Sequence, residues 1–513
     1  MLALAATFVL TAAGGIEPAS RVQVTPLVRE VVTDAGLRVW SFPDDGGDRF
    51  LLMVLVGAGS RHEDPAGTGV AHLLEHVLLS STELRSKREA NRQLDALGGR
   101  FNGYTAHEVT TYHIACDPDD WEFAVEWLAE HVVTPGFDPD DVADELGIVY
   151  EEVRVREPHA SASTIEEHLY PGHPLGEPIG GAQEGIRRLS TDDLRAFYGA
   201  HYRAPNMAVG FAGRVDADRV MAAVADAFGG LPTEGGVAPI EAAEPRFGRK
   251  LLGSADRLDR PGFVIAGYHM PAGATADTAA QMLVARYLST RLFEEIREAR
   301  QLSYGPRAHL QLRSDTARLD LNVEVSDSRK LPTVMAVFDD LISELAAPDA
   351  ETFDSAARSA AGAFDVSTAA RLGEAMELGW LMRRVGASPV ELQAALAATG
   401  PDDVARYAEA HLTRDRSFAV SNAPLGGGRA PVLALLLGIA LLFAVLDGAR
   451  GFPMARRLRS LGSRVPSGKR RPRPSRPGKA PDAIRPVHVD ELERSIQDFF
   501  ADEDRKGESS EGR

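Results

Sequence analysis

The pentapeptide His72-Leu73-Leu74-Glu75-His76 can bring its polar side chains together only as a helix, where positions i and i+4 share a face. Both imidazoles then reach one point, and Glu75 stands beside them. Glu152 lies 76 positions after His76, at the end of an acidic run that begins at Glu145. A chain that uses these residues as one unit must fold a second element back onto the first. Catalytic zinc takes three protein ligands and leaves its fourth position to water. His72, His76 and Glu152 make that set, and Glu75 is placed as the general base. The Glu directly precedes the second His, inverting the thermolysin-type order. Glu145, seven residues before Glu152 and two helical turns away, suits the orienting of a ligand histidine or the holding of Glu152. Taken singly, Glu152 reads as one charge of a solvated helix face, beside Asp144, Glu145 and Glu151. Taken together, the residues read as metal-assisted hydrolysis. Zinc follows from the donor types, and manganese or cobalt could take the same donors.

Around this core the chain carries Gly67-Thr68-Gly69-Val70-Ala71 before His72, then Gly98-Gly99-Arg100-Phe101-Asn102-Gly103-Tyr104-Thr105 with Glu108 and Thr110. Farther on come His173-Pro174-Leu175-Gly176-Glu177-Pro178-Ile179-Gly180 and Tyr202-Arg203-Ala204-Pro205-Asn206-Met207. In these blocks and their spacing, residues 25 to 423 resemble the pitrilysin-type inverzincins. The similarity is greater to the two-domain branch of mitochondrial processing peptidase and its bacterial relatives. Leu79 and Ser81 depart from the Phe and Gly frequent there, and neither belongs to the ligand set.

The resemblance implies further roles. The segment holding Asn102 would be an edge strand that pairs with substrate backbone, a mode that reads main chain more than side chains. Without the flanking blocks, Asn102-Gly103 reads as a hairpin turn. Arg297 and Tyr304 match an Arg and a Tyr that face the zinc across a closed chamber in four-domain relatives. Tyr304 would steady the oxyanion and Arg297 the substrate carbonyl or backbone. On residue pattern alone, Arg297 is a solvated helix residue and Tyr304 a core aromatic. One chain holding both sets implies a homodimer with the pair reaching across in trans, consistent with the prevalence of two-fold symmetry.

At 513 residues and 44% hydrophobic content the chain can build two or three domains with sizeable cores. Its one cysteine, Cys116, excludes an intrachain disulfide. Residues 2–13 have the length of a signal-peptide apolar region, with small residues at Ala13–Gly15 where cleavage could occur and no basic segment before them. Residues 430–446 are uncharged and apolar, and a helix from Arg429 to Arg450 would rise about 31 Å, close to a bilayer core. Residues 450–479 contain eleven Lys or Arg and no Asp or Glu, which places the tail in the cytoplasm and the body outside it. The tail from Asp447 carries +5 of a net −18, so the body before it carries −23. An acidic body disfavours nucleic acid and favours cationic peptides.

The expected fold class is α+β: two homologous metallopeptidase-like α/β sandwich domains, then one transmembrane helix and a largely disordered tail. The expected divisions are a signal-like segment at 1–15, a zinc-bearing domain at 22–230 and a Gly/Pro-rich linker at 231–247. A silent second domain at 248–423, the span at 430–446 and the tail at 447–513 complete them. Leu51–Val56 and Ala208–Ala212 read as strands of the first domain. Phe263–Gly267 and Ala279–Arg300 read as a strand and a helix of the second. In the tail, Val489, Leu492, Ile496 and Phe499 recur at helical spacing and could dock a cytosolic partner. The expected activity is that of a membrane-anchored zinc endopeptidase with one Zn2+ per chain. Two rivals stay open: a non-catalytic peptide-binding or scaffold subunit, and an active subunit that needs a different partner chain.

Overall fold

The computed structural model describes residues 29–421 apart from 43–47, 65–67, 97–98, 157–160, 252–261, 326–327, 363–365 and 367. The signal-like segment, the 430–446 span and the tail helix all lie outside the described residues. Among those described, no helix is long and apolar enough to cross a membrane.

Six strands build the first sheet: β1 (Arg29–Val32), β2 (Arg38–Phe42), β3 (Phe50–Val56), β4 (Arg100–Thr105), β5 (Thr110–Cys116) and β6 (Met207–Ala212). Their order is β1-β2-β6-β3-β5-β4, with β2 parallel to β6 and the other neighbours antiparallel. Between β3 and β4 come helices α1 (Val70–Leu78) and α2 (Lys87–Ala96). Between β5 and β6 come α3 (Trp121–Val133), α4 (Pro139–Arg156), α5 (Ser161–Leu169), α6 (Gln183–Ile186) and α7 (Thr191–His201), and α8 (Ala217–Ala227) closes the lobe. Residues 229–247 then run without helix or strand.

The second sheet repeats the plan with five strands: β7 (Gly248–Leu251), β8 (Gly262–Pro271), β9 (Arg307–Leu312), β10 (Thr316–Val325) and β11 (Ser417–Ser421). The order β7-β11-β8-β10-β9, with only β7 and β11 parallel, reproduces β2-β6-β3-β5-β4 strand for strand. Its helices are α9 (Thr275–Leu292), α10 (Leu331–Glu344), α11 (Ala350–Ala361), α12 (Ala369–Arg384), α13 (Pro389–Ala398) and α14 (Pro401–His411). The helix expected at Ala279–Arg300 starts earlier, at Thr275, and changes from α to π winding at Phe293–Ala299.

Strand β3, Phe-Leu-Leu-Met-Val-Leu-Val, is apolar at every position because both of its faces are covered. Phe50, Leu52, Val54 and Val56 pack into one core with Leu73, Leu74 and Val77 of α1 and Leu128 of α3. Leu51, Met53 and Leu55 face the other way and join a core with Leu372, Met376 and Trp380 of α12. The second lobe thus supplies the cover for one face of the first sheet. The approach is close enough to require glycine: a Cβ on Gly57 would lie 2.2 Å from the Trp380 ring, and one on Gly210 would lie 2.5 Å from the Met376 sulfur. At about 2 kcal/mol per fully buried large apolar side chain, this shared face is a main source of cohesion between the lobes.

Candidate metal centre

Helix α1 begins at Gly69, whose φ of 95° is a left-handed conformation that glycine adopts without strain. Its first amides are satisfied from a distance, Gly69 and Ala71 donating to the Glu63 carboxylate at 2.7 and 2.9 Å. Burial pushes the Glu63 carboxyl up to about 8, against the pull of those two amides. Leu73, Leu74, Val77 and Leu78 anchor the helix in the core. That fixes the opposite stripe, where the rings of His72 and His76 meet edge-on with centroids 5.0 Å apart.

Helix α4 packs on α1 and delivers Glu152. One carboxylate oxygen lies 3.8 Å from His72 Nε2 and the other 3.5 Å from His76 Nε2. One donor atom from each of the three residues lies within 4.8 Å of the others. Donors in a tetrahedral zinc shell at the usual bond lengths stand roughly 3.4 Å apart. Two imidazole nitrogens and a carboxylate at these spacings therefore fit zinc in both chemistry and size.

Glu145 sits behind His76. Its Oε2 is 3.2 Å from His76 Nδ1, and its Oε1 accepts from Ser80 Oγ at 3.0 Å and from the Lys87 ammonium. Burial alone would raise this carboxyl, but hydrogen bonds from His76 and Lys87 outweigh it and hold it at about 2. The same balance acts on His76: burial lowers its pKa, while hydrogen bonds to Glu145 and Glu152 win and bring it to about 9. Two carboxylates thus face His76, one at each ring nitrogen, and a metal held at Nε2 would have to displace the proton there. Glu75 is buried and accepts a 2.7 Å hydrogen bond from Thr105 Oγ1 on β4.

Asn102 lies within β4, in register with His113, and is exposed. The turn joining β4 to β5 falls at residues 106–109 instead, so Asn102-Gly103 is strand and not hairpin. Among the described residues β4 is the outer strand of its sheet, with no strand paired to its other edge. Arg297 and Tyr304 meet each other: the guanidinium carbon sits 4.1 Å from the Tyr304 ring centroid and 4.7 Å from that of Phe293. Tyr304 is 79% exposed and is no core aromatic. The pair belongs to the second lobe, whereas His72, His76 and Glu152 belong to the first.

A cavity of about 820 Å³ opens between the lobes. Val153 and Gly180 line it beside the metal residues; a Cβ on Gly180 would lie 3.4 Å from His72 Nδ1. His107 and Glu108 of the β4–β5 turn, His309 of β9 and Glu377 of α12 close it from the other sides. The sequence pattern did not give Thr105, Ser80, Lys87 or Glu63 a role. Lys87 alone left a signal, since a cation in the first turn of a helix opposes the helix dipole and needs another partner.

Residues 39–183 match the family model described as Insulinase (Peptidase family M16), and residues 188–359 match that of the Peptidase M16 inactive domain. The second match begins within the first lobe, ahead of β6. An uncharacterized zinc protease of Mycobacterium leprae is 31% identical over 306 residues, covering 57% of this chain and 68% of that protein. An uncharacterized zinc protease of Streptomyces coelicolor is 28% identical over 77% of this chain and 89% of its own length. Among solved structures, a protease from Helicobacter pylori superposes with a TM-score of 0.68 at 19% identity, covering 78% of this chain and all of that one. An M16-like peptidase from Alicyclobacillus acidocaldarius gives 0.65 at 17% identity, covering 79% of this chain and all of that one.

Proposed function

Because the chain belongs to the insulinase-like M16 family of zinc proteases, we propose that it is an endopeptidase that hydrolyses peptides and unfolded segments in the cavity between its lobes. The observation that carries this reading is the convergence of His72, His76 and Glu152 within 4.8 Å, with Glu75 on the same turn of α1. His72 and His76 through Nε2, and Glu152 through its carboxylate, would hold one zinc ion. When bound, zinc supplies a Lewis acid that lowers the pKa of water to roughly 7. Glu75 accepts the proton of the attacking water and returns it to the leaving amine. Glu145 keeps the His76 ring turned so that Nε2 faces the metal position. The unpaired edge of β4, with Asn102 exposed on it, receives the substrate as an added strand. A complete ligand set with a base beside it disfavours a purely scaffolding role.

The test is zinc content and cleavage of unfolded peptides by the purified chain and its Glu75→Gln variant. Zinc in both, with cleavage only by the unmodified protein, is expected. Zinc without cleavage in either would favour the scaffold or the need for a different partner chain.

Assembly and location form part of the same proposal. The exposed Arg297 and Tyr304 stack completes the site of a second copy in a homodimer. Mixing inactive Glu75→Gln with inactive Tyr304→Phe should then restore part of the activity, and no restoration would exclude sharing in trans. The 430–446 segment anchors the chain with the body extracytoplasmic, on the periplasmic side of a bacterial host, and the tail cytoplasmic. In intact cells an external protease should therefore reach the body and spare a tag on the tail, while reversed access would exclude this orientation. Cationic peptides should be cleaved faster than matched acidic ones if the charge of the body bears on substrate choice, and equal rates would remove that element. The apolar repeat of Val489, Leu492, Ile496 and Phe499 would offer a cytosolic partner surface, and loss of any captured partner on truncation at 480 would test it.

A further inference from the structure

Glu75 is held by a strand whose end is fastened to the other lobe. Thr105, the last residue of β4, donates its hydroxyl to Glu75 Oε2 at 2.7 Å. The turn that follows is clamped by the segment after β3. Ser60 and Arg61 donate their amides to the carbonyls of Ala106 and His107 at 3.1 and 2.8 Å. The Arg61 side chain, fully buried, reaches Glu108 in that turn at 2.5 Å. It also reaches Asp315, at the turn before β10 in the second lobe, at 2.6 Å. Ser314, next to Asp315, donates its amide to the Glu108 carboxylate at 3.0 Å. Asp315 in turn accepts from the Ala243 amide at 3.0 Å, so the connecting segment joins the same cluster.

Removing a charged partner from a buried guanidinium leaves its charge uncompensated, and Arg61 holds two such partners through its terminal nitrogens. Glu108 and Asp315 therefore cannot separate without leaving charge stranded, and the β4–β5 turn is fixed relative to the second lobe. Thr105 sits immediately before that turn. A hydroxyl held there has one orientation toward Glu75, whereas a hydroxyl on a loose turn would share its time among rotamers.

We propose that Thr105 is a positioning residue for the general base, and that the second lobe sets its position through Asp315, Arg61 and Glu108. This rests on Glu75 acting as the base. It gives the lobe without metal ligands a part in catalysis that involves no contact with the metal. It also makes one strand responsible for two alignments, since β4 offers its edge to substrate and orients the base at its end.

The experiment compares kcat, KM and the zinc dissociation constant of the full chain with those of Thr105→Val, Thr105→Ser, Asp315→Asn and the double variant Thr105→Val/Asp315→Asn. Thr105→Val preserves shape and removes only the donor; it should lower kcat about tenfold while KM and the zinc constant stay within about twofold. Thr105→Ser should recover most of the loss. Asp315→Asn should lower kcat about threefold with the same unchanged zinc constant, and the double variant should be no worse than Thr105→Val alone, because both act through one hydroxyl. Unchanged kcat in Thr105→Val, a serine variant as poor as valine, or parallel loss of zinc would overturn the role of Thr105. An inert Asp315→Asn, or losses that multiply in the double variant, would overturn the link to the second lobe. An active Glu75→Gln enzyme would instead sink the underlying reading of the base, a result distinct from all of these.

Discussion

Helices α1 and α9 hold the same place in two copies of one topology, each following the central strand of its sheet and preceding the edge strand. Their surroundings differ. α1 is nine residues long and is buried at every position but His76, with His72 and His76 turned toward Glu152 of α4 and Glu75 toward Thr105 of β4. α9 is twice as long, with buried residues all around it from Thr278 to Leu292, because α11, α13 and α14 cover what the sheet does not. Even its buried Gln281 is spoken for, donating to Tyr407 Oη at 2.6 Å and to the Pro271 carbonyl at 3.1 Å. A helix wrapped in apolar contacts has no face on which to hold an ion with an open coordination position. Both helices are largely buried, and what separates them is what they bury: ionisable His72 and Glu75 on α1, apolar side chains and a satisfied Gln281 on α9.

The largest test of this contrast is Glu75→Gln, expected to lower kcat by about 10²–10⁴-fold with zinc retained; retained activity would remove the distinction between the lobes. Next, Leu73→Ala in α1 and Leu283→Ala in α9 should each lower unfolding free energy by about 2–5 kcal/mol, since both side chains are buried. Only the first should also weaken zinc, and equal zinc loss from both would show that the helices are not separable in function. Glu145→Gln should weaken zinc by about 10–100-fold in a dialysis competition, through the His76 ring it orients.

The smallest effect is acid sensitivity. Burial depresses His62 and His107 to about 3 and His113, His131 and His201 to about 4, all in the first lobe. In the second lobe, burial lowers His269 to about 4 and also lowers His309. The folded values lie below the unfolded 6.5, so the unfolded chain binds more protons as pH falls. The stability is present above about pH 6.5 and lost as pH falls toward 4. His131 stacks on Trp127 with ring centroids 3.7 Å apart, and three of the four tryptophans, Trp40, Trp121 and Trp127, lie in this lobe, so urea unfolding can be followed by tryptophan emission. His131→Phe should lose less stability between pH 7 and pH 5 than the unmodified protein, and an identical loss would mean that His131 is not held neutral.

Residues brought together within one helical turn were legible from spacing. His72, Glu75 and His76 needed only the helix period, and Glu145 and Glu152 needed two turns of it. Strands β3, β6 and β8 were legible because apolar runs bounded by turns admit few alternatives. Contacts between distant segments were not. Thr105 and Glu75 are 30 positions apart, Lys87 and Glu145 are 58, and Arg61 and Asp315 are 254. No local pattern distinguishes such a threonine or arginine from a solvated one. Asn102-Gly103 carried a turn signal that tertiary pairing overrode, since β5 offers partners for every residue from Arg100 to Thr105. Tyr304 looked like core because an aromatic beside a helix end usually is.

The crossing of α12 onto the first sheet has a consequence for the making of the protein. The last strand of that sheet ends at Ala212, and its cover begins at Ala369, about 160 residues later. At roughly 5–20 residues per second, a ribosome needs on the order of ten to thirty seconds to supply it. Until α12 is made, Trp40, Leu51, Met53 and Leu55 lack the side chains of Leu372, Met376 and Trp380 with which they share a core. The nascent chain is then a client for any chaperone that recognises exposed sheet faces, and its yield should fall when such helpers are scarce, long before catalysis is at stake.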